Sequence, residues 1–81
     1  MAEHDISGPD WSDAPSWAQW WAMDHLCACW YKQKPIYVKS GPGWIWYSQG
    51  TTFGEDRSVR PGQGIDYRQT LRSRPEVQND Y

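Results

Sequence analysis

Residues 18–35 read AQWWAMDHLCACWYKQKP, with three tryptophans and two cysteines around a polar pair, Asp24-His25, and a basic run that stops at Pro35. Dense Trp, Tyr and Cys in short runs on either side of a polar pair predict a β-hairpin. Strand one is expected over 18–23 and strand two over 26–32. A two-residue turn at Asp24-His25 pairs Met23 with Leu26, Trp21 with Ala28 and Trp20 with Cys29. One face then carries Trp21, Met23, Leu26, Ala28 and Trp30, and the other Ala18, Trp20, Ala22, Cys27, Cys29 and Tyr31. A different loop length re-sorts the sets, yet no register yields a polar face. The hairpin is apolar on both sides, and something has to cover each.

A helix competes for the first half of this stretch. Ser12 or Asp13 could cap it, Pro15 suits its first turn, and Trp17, Trp20, Trp21 and Leu26 approximate a helical stripe. Asp24 on that stripe and the β-type composition further along favour the hairpin.

Outward from the hairpin, Asp10-Trp11-Ser12-Asp13-Ala14-Pro15 places Asp and Ser side chains where they can bond the backbone two residues on, which predicts a turn. Downstream, Lys32-Gln33-Lys34-Pro35 ends pairing, because proline has no N–H to donate. A third strand is expected over 36–39, a turn at Ser40-Gly41-Pro42-Gly43, and a fourth strand at Trp44-Ile45-Trp46-Tyr47. Residues 48–64 carry Gly, Thr and charge with few apolar side chains and read as a surface loop. Residues 65–72 suit two helical turns, with Asp66 as cap and Tyr67 and Leu71 on one face, closed by Pro75. The expected fold is therefore mainly β (α+β): a small antiparallel meander of about four strands with a short C-terminal helix. It forms one domain over 10–73, between flexible tails at 1–9 and 74–81.

At 81 residues a single small core is all the chain can build. Seven Trp and five Tyr against one Phe supply bulk that length does not. Twelve such rings exceed what one thin sheet hides, so several are expected at a contact surface. The net charge of −2 excludes an overall polybasic chain. Its first 24 residues hold acids and no Lys or Arg, Lys32, Lys34 and Lys39 sit in the middle, and five arginines follow. Without a leader-like segment or an apolar run near 18 residues, the chain is expected to be cytosolic and soluble, with no membrane partner.

The residues that could carry chemistry have simpler roles. His25, Cys27 and Cys29 recur at spacing two, but on an extended strand such neighbours diverge, with Cβ atoms roughly 7 Å apart. That is too far for an unstrained disulfide, and a zinc site lacks further ligands. Reduced thiols, no metal and no cofactor are expected. Neither cysteine has a motif that lowers its pKa, Asp10 and Asp13 suit turn chemistry, and no Gly-rich loop precedes a helix to hold phosphate. The chain is expected not to be an enzyme.

DWSDAP followed by WAQWWAMD, CACWYKQKP and GWIWYS resembles a loose group of short proteins encoded by tailed bacteriophages, in which a WxxAP turn leads into an aromatic hairpin ending in proline. The resemblance covers about residues 10–47, and YRQTLRSRPE is similar to the short Arg-Pro helix that closes some of them. The chain departs from the group at Asp24-His25, where related sequences tend to carry Gly. The resemblance implies a phage origin and the cytoplasm of an infected bacterial host, and supplies no site residues.

Three binding roles follow. In the first, Trp20, Trp21, Trp30, Tyr31, Trp44 and Trp46, flanked by Arg68 and Arg72, anchor and inhibit a bacterial host protein or defence complex. In the second, Lys32, Lys34 and Lys39 beside Tyr37 and the tryptophans stack single-stranded nucleic acid, against which stands the small number of lysines in an acidic chain. In the third, the same rings only fill the core or a homo-oligomer contact in a structural phage protein.

Overall fold

Asp24 decides the register of the first hairpin. In the computed structural model, which describes residues 8–76, its Oδ1 accepts the N–H groups of Leu26 (2.9 Å) and Cys27 (3.2 Å), while its own N–H donates to the Cys27 carbonyl (3.0 Å). An aspartate that bonds the backbone two and three residues on becomes the first residue of a turn. The tip is therefore His25-Leu26, one residue later than expected. Strands β1 (Trp20–Met23) and β2 (Ala28–Tyr31) pair as Met23 with Ala28, Ala22 with Cys29, Trp21 with Trp30 and Trp20 with Tyr31. Moving the tip by one residue moves each partner by two, so the strand side chains keep their faces while the pairs change; Ala18, expected on the Trp20 face, precedes β1 and packs with Trp21 and Met23 instead. Leu26 leaves the sheet and is 67% exposed. Residues 20–23 are strand, which removes the competing helix.

The strands do not continue as a meander. Strand β3 (Ile36–Ser40) and strand β4 (Gly43–Tyr47) form a separate two-stranded sheet. The free edge of β2 is taken instead by β5 (Phe53–Glu55), and that of β1 by β6 (Arg72–Ser73), giving the order β5-β2-β1-β6, all antiparallel. Strand β5 lies inside the expected surface loop. Its one residue on the Trp30 face is Gly54, where a side chain would meet the Trp17 ring at 3.9 Å, so the strand carries little apolar signal.

The expected C-terminal helix is only a 3-10 turn, Tyr67–Thr70, preceded by Asp66, whose side chain makes no cap bond. Tertiary partners take the groups a helix would use. The Tyr67 carbonyl accepts the Trp46 indole N–H (3.2 Å) and faces the Thr70 hydroxyl (2.7 Å), and the Arg72 guanidinium donates to the Gln69 and Leu71 carbonyls. The chain then extends into β6. Arg74 continues the edge, donating its backbone N–H to Gln19 and its guanidinium to the carbonyls of Pro15 and Ala18. Residues 1–7 and 77–81, most of the two expected tails, lie outside the described residues.

The DWSDAP turn forms as its residues dictate: Asp10 accepts the Ser12 N–H (3.0 Å) and hydroxyl (2.7 Å) at the start of a 3-10 turn, Trp11–Asp13.

Both faces of the first hairpin are covered by this chain. On one, Ala18, Trp21, Met23, Ala28 and Trp30 pack beneath Trp11, Ala14, Trp17, Val59, Ile65 and Tyr67, with Trp11 edge-on to Trp30 at 5.2 Å. On the other, Ala22 and Tyr31 pack with Trp46, Tyr37 and Leu71. Buried polar groups fix the layers. The Trp21 indole donates to Asp56 Oδ2 (2.9 Å), whose Oδ1 holds the Ser58 N–H and hydroxyl. The Met23 carbonyl accepts the Trp46 indole N–H (2.9 Å) and lies 3.0 Å from the Thr70 hydroxyl, which itself accepts the Met23 N–H. These contacts place β4 over β1 and the C-terminal turn beside both.

Candidate binding surface

Antiparallel pairing sorts the side chains of the second hairpin. Tyr37 opposite Trp46 and Lys39 opposite Trp44 share one face, and Ile36 opposite Tyr47 and Val38 opposite Ile45 share the other. The turn between the strands is Gly41-Pro42. Gly41 has φ +58° and proline follows with its fixed negative φ, the order of signs in a II′ turn that matches strand twist.

The inner face docks on the first hairpin. Trp46 is buried, its backbone N–H donates to Asp24 Oδ2 (2.9 Å), and its indole reaches Met23 and Tyr67. Asp24 thus joins two hairpins, holding its own loop with one carboxylate oxygen and β4 with the other. From Trp46 the rings step outward: Tyr37 lies 4.8 Å from Trp46, and Trp44 stacks on Tyr37 at 5.6 Å. Arg68 lays its guanidinium 5.6 Å from the Tyr37 ring and 5.8 Å from that of Trp44. Burial among these rings pushes the Tyr37 phenol above its ordinary value.

Among the described residues the outer face is left more open. Tyr47 is 57% exposed and Ile36 44%, with Val38 and Ile45 half-buried between them. Four apolar side chains thus adjoin on one side of a two-stranded ribbon.

Of the rings expected as anchors, Trp21, Trp30, Tyr31 and Trp46 are buried in the core. Trp44 is 41% exposed beneath Arg68. Trp20 is half-buried, with Lys34 Nζ 5.4 Å from its ring. Arg68 is exposed at the hairpin, whereas Arg72 is half-buried and engaged with carbonyls of its own turn. Lys32, Lys34 and Lys39 are exposed, and Tyr37 is half-buried in the stack. The structure brings together Tyr37, Lys39, Trp44 and Arg68 at one hairpin. Ile36, Val38, Ile45 and Tyr47 were not singled out as site residues. The signal was the alternation in 36–39 and 44–47, which puts Ile and Val opposite in phase to the conspicuous tryptophans.

A second feature lies at the tip of the first hairpin, where an open cleft of about 360 Å³ is lined by His25, Leu26, Cys27, Glu55, Arg57 and Arg60, among others. The Arg57 guanidinium and Glu55 carboxylate pair at 3.4 Å, both solvent-exposed. Cys27 belongs to the turn and does not continue β2, so its side chain converges on that of Cys29, with the sulfurs 3.4 Å apart. Strand divergence, from which wide separation was expected, does not apply to this pair. Both thiols are free. Burial pushes Cys29 up to about 12 and raises Cys27 as well, with Asp24 adding to both shifts. Among the described residues no group of three or more His, Cys, Asp or Glu side chains is assembled as a metal site.

Comparison with protein-family models, with curated proteins and with solved structures finds no match to this chain. Its fold is mainly β: the described residues form six strands in antiparallel sheets, and among them no helix is long and apolar enough to cross a membrane.

Proposed function

We propose that the protein is a non-enzymatic binding module whose second hairpin docks on another protein. Following the resemblance of residues 10–47, it is a phage-encoded accessory factor that binds and inhibits a bacterial host protein or defence complex in the infected cytoplasm. The observation that supports this most is the outer face of β3 and β4, where Ile36 and Tyr47 stand exposed beside Val38 and Ile45 although both faces of the first hairpin are already covered. Adjoining apolar side chains on a surface, with an aromatic, Tyr47, among them, are the usual makings of a contact centre. Trp44 and Arg68 belong to the opposite, inner face of the hairpin, outside this contact.

Ile36→Ser combined with Tyr47→Ser tests it. Both positions are exposed, so the unfolding free energy from urea titration should stay within about 0.5 kcal/mol of the parent. Capture of a host protein from lysate should be lost in the variant and retained by the parent. Equal capture by both, or no specific capture by the parent, counts against the hairpin as the contact.

Single-strand nucleic-acid binding is the second reading, motivated by the cation and ring pairs Lys34 with Trp20 and Arg68 with Tyr37 and Trp44. It requires quenching of Trp emission by oligonucleotides at low salt and release as salt rises. Unchanged emission excludes it.

A further inference from the structure

Cys27 and Cys29 are two reduced, half-buried thiols in sulfur contact at 3.4 Å, and Cys27 also borders the cleft at the hairpin tip. They meet because the Cys27 N–H is turned onto Asp24 Oδ1 and its carbonyl onto the Asp24 N–H, which takes residue 27 out of the strand that holds residue 29. The cleft opens the pair to small molecules from the Cys27 side.

We propose that Cys27 and Cys29 are an exchange pair that reacts with a low-molecular-weight disulfide bound in this cleft and closes into an intrachain disulfide. Cys27, after giving its proton to solvent, attacks one sulfur of the disulfide R–S–S–R. That bond breaks, a thiolate leaves and is protonated to RSH, and Cys27 is left joined to the second R–S group. Cys29 then loses its proton and attacks Cys27 Sγ from its place in contact with it, expelling the second thiolate, which is also protonated to RSH. The two protein thiols are oxidised by two electrons and the small disulfide is reduced to two thiols. The sulfurs have to close from 3.4 Å to a bond of about 2.05 Å. The movement falls to Cys27, since Cys29 is held in β2 between Ala22 and Glu55. Arg57 and Arg60 set two guanidinium groups against the single Glu55 carboxylate of the cleft lining, which suits a disulfide bearing carboxylates.

The test is incubation of the full chain with oxidised glutathione at mildly alkaline pH, followed by alkylation and intact-mass analysis. The expected product is monomeric, has no free thiol, carries no glutathione and is restored by dithiothreitol. Cys29→Ser should stop at a glutathione adduct on Cys27, and Cys27→Ser should react many-fold more slowly. A parent chain that keeps both thiols, accumulates the glutathione adduct or forms disulfide-linked dimers overturns the proposal, and that measurement needs no variant to fold. Cationic cystamine should react several-fold more slowly than oxidised glutathione; equal rates overturn the cleft as the point of approach.

Discussion

Replacing Asp24 with Asn isolates the contact that joins the two hairpins. Asp24 is 5% exposed, and its two oxygens serve three backbone donors: Leu26 and Cys27 on Oδ1, Trp46 on Oδ2. Asparagine keeps one acceptor oxygen and turns the other position into a donor. If the oxygen stays with Leu26 and Cys27, an amide N–H faces the Trp46 N–H across 2.9 Å; if the group is flipped, the clash moves to the other two donors. At least one bond to a charged acceptor is lost, worth about 1.5–3 kcal/mol, and a buried N–H is left without a partner. A loss of roughly 2–3 kcal/mol is expected, which lowers Tm by on the order of 10–20 °C for a domain of this size. Urea unfolding followed by Trp fluorescence should show a lower midpoint at unchanged slope, as expected when stability alone changes. Asp24→Ala, which abandons all three donors, should lose more. An Asn variant within about 0.5 kcal/mol of the parent would refute the role given to this carboxylate.

Trp21→Phe removes the indole N–H that satisfies buried Asp56 Oδ2 and leaves a void in the core, so a loss of about 2–4 kcal/mol is expected in the same urea assay. Gly41→Ala should cost about 1–2 kcal/mol through its positive φ alone, because a side chain there meets nothing within 4 Å; a neutral result would mean that the II′ turn is not held. Alkali should destabilise the fold. Burial holds Cys29 at about 12 against an ordinary 9.0 and raises Tyr31 from 10.0, so above pH 9.0 the folded chain keeps protons that the unfolded chain releases. The urea midpoint should therefore be insensitive to these groups below pH 9.0 and fall above it, and a midpoint that stays constant past pH 10.0 contradicts the burial of this pair.

Alternation over 18–32 determined the two apolar faces of the first hairpin, and they survive a misplaced tip because strand side chains repeat every two residues. The turns at Asp10-Ser12 and Gly41-Pro42 were equally legible, since each rests on bonds or φ values set by neighbouring residues. The exposed face of β3 and β4 follows from the same alternation once the strands are placed, with the tryptophans in the opposite phase.

Tertiary structure alone decided the rest. Asp24 reads as a turn residue in sequence, and only the approach of β4 shows it holding Trp46, 22 residues away. Strand β5 has Gly54 as its one residue on the Trp30 face, so its sequence carries no apolar signal there, and only the pairing with β2 shows it to be a strand. Residues 67–70 have helical spacing but yield their carbonyls to Trp46 and Arg72, so a longer helix does not form. Cys27 and Cys29 diverge on any ideal strand and touch here because the Asp24 carboxylate, three residues before Cys27, draws its N–H into the turn and takes it out of the strand. Local patterns determine which way a side chain faces; which neighbour it meets depends on long-range hydrogen bonds that compete with the local ones.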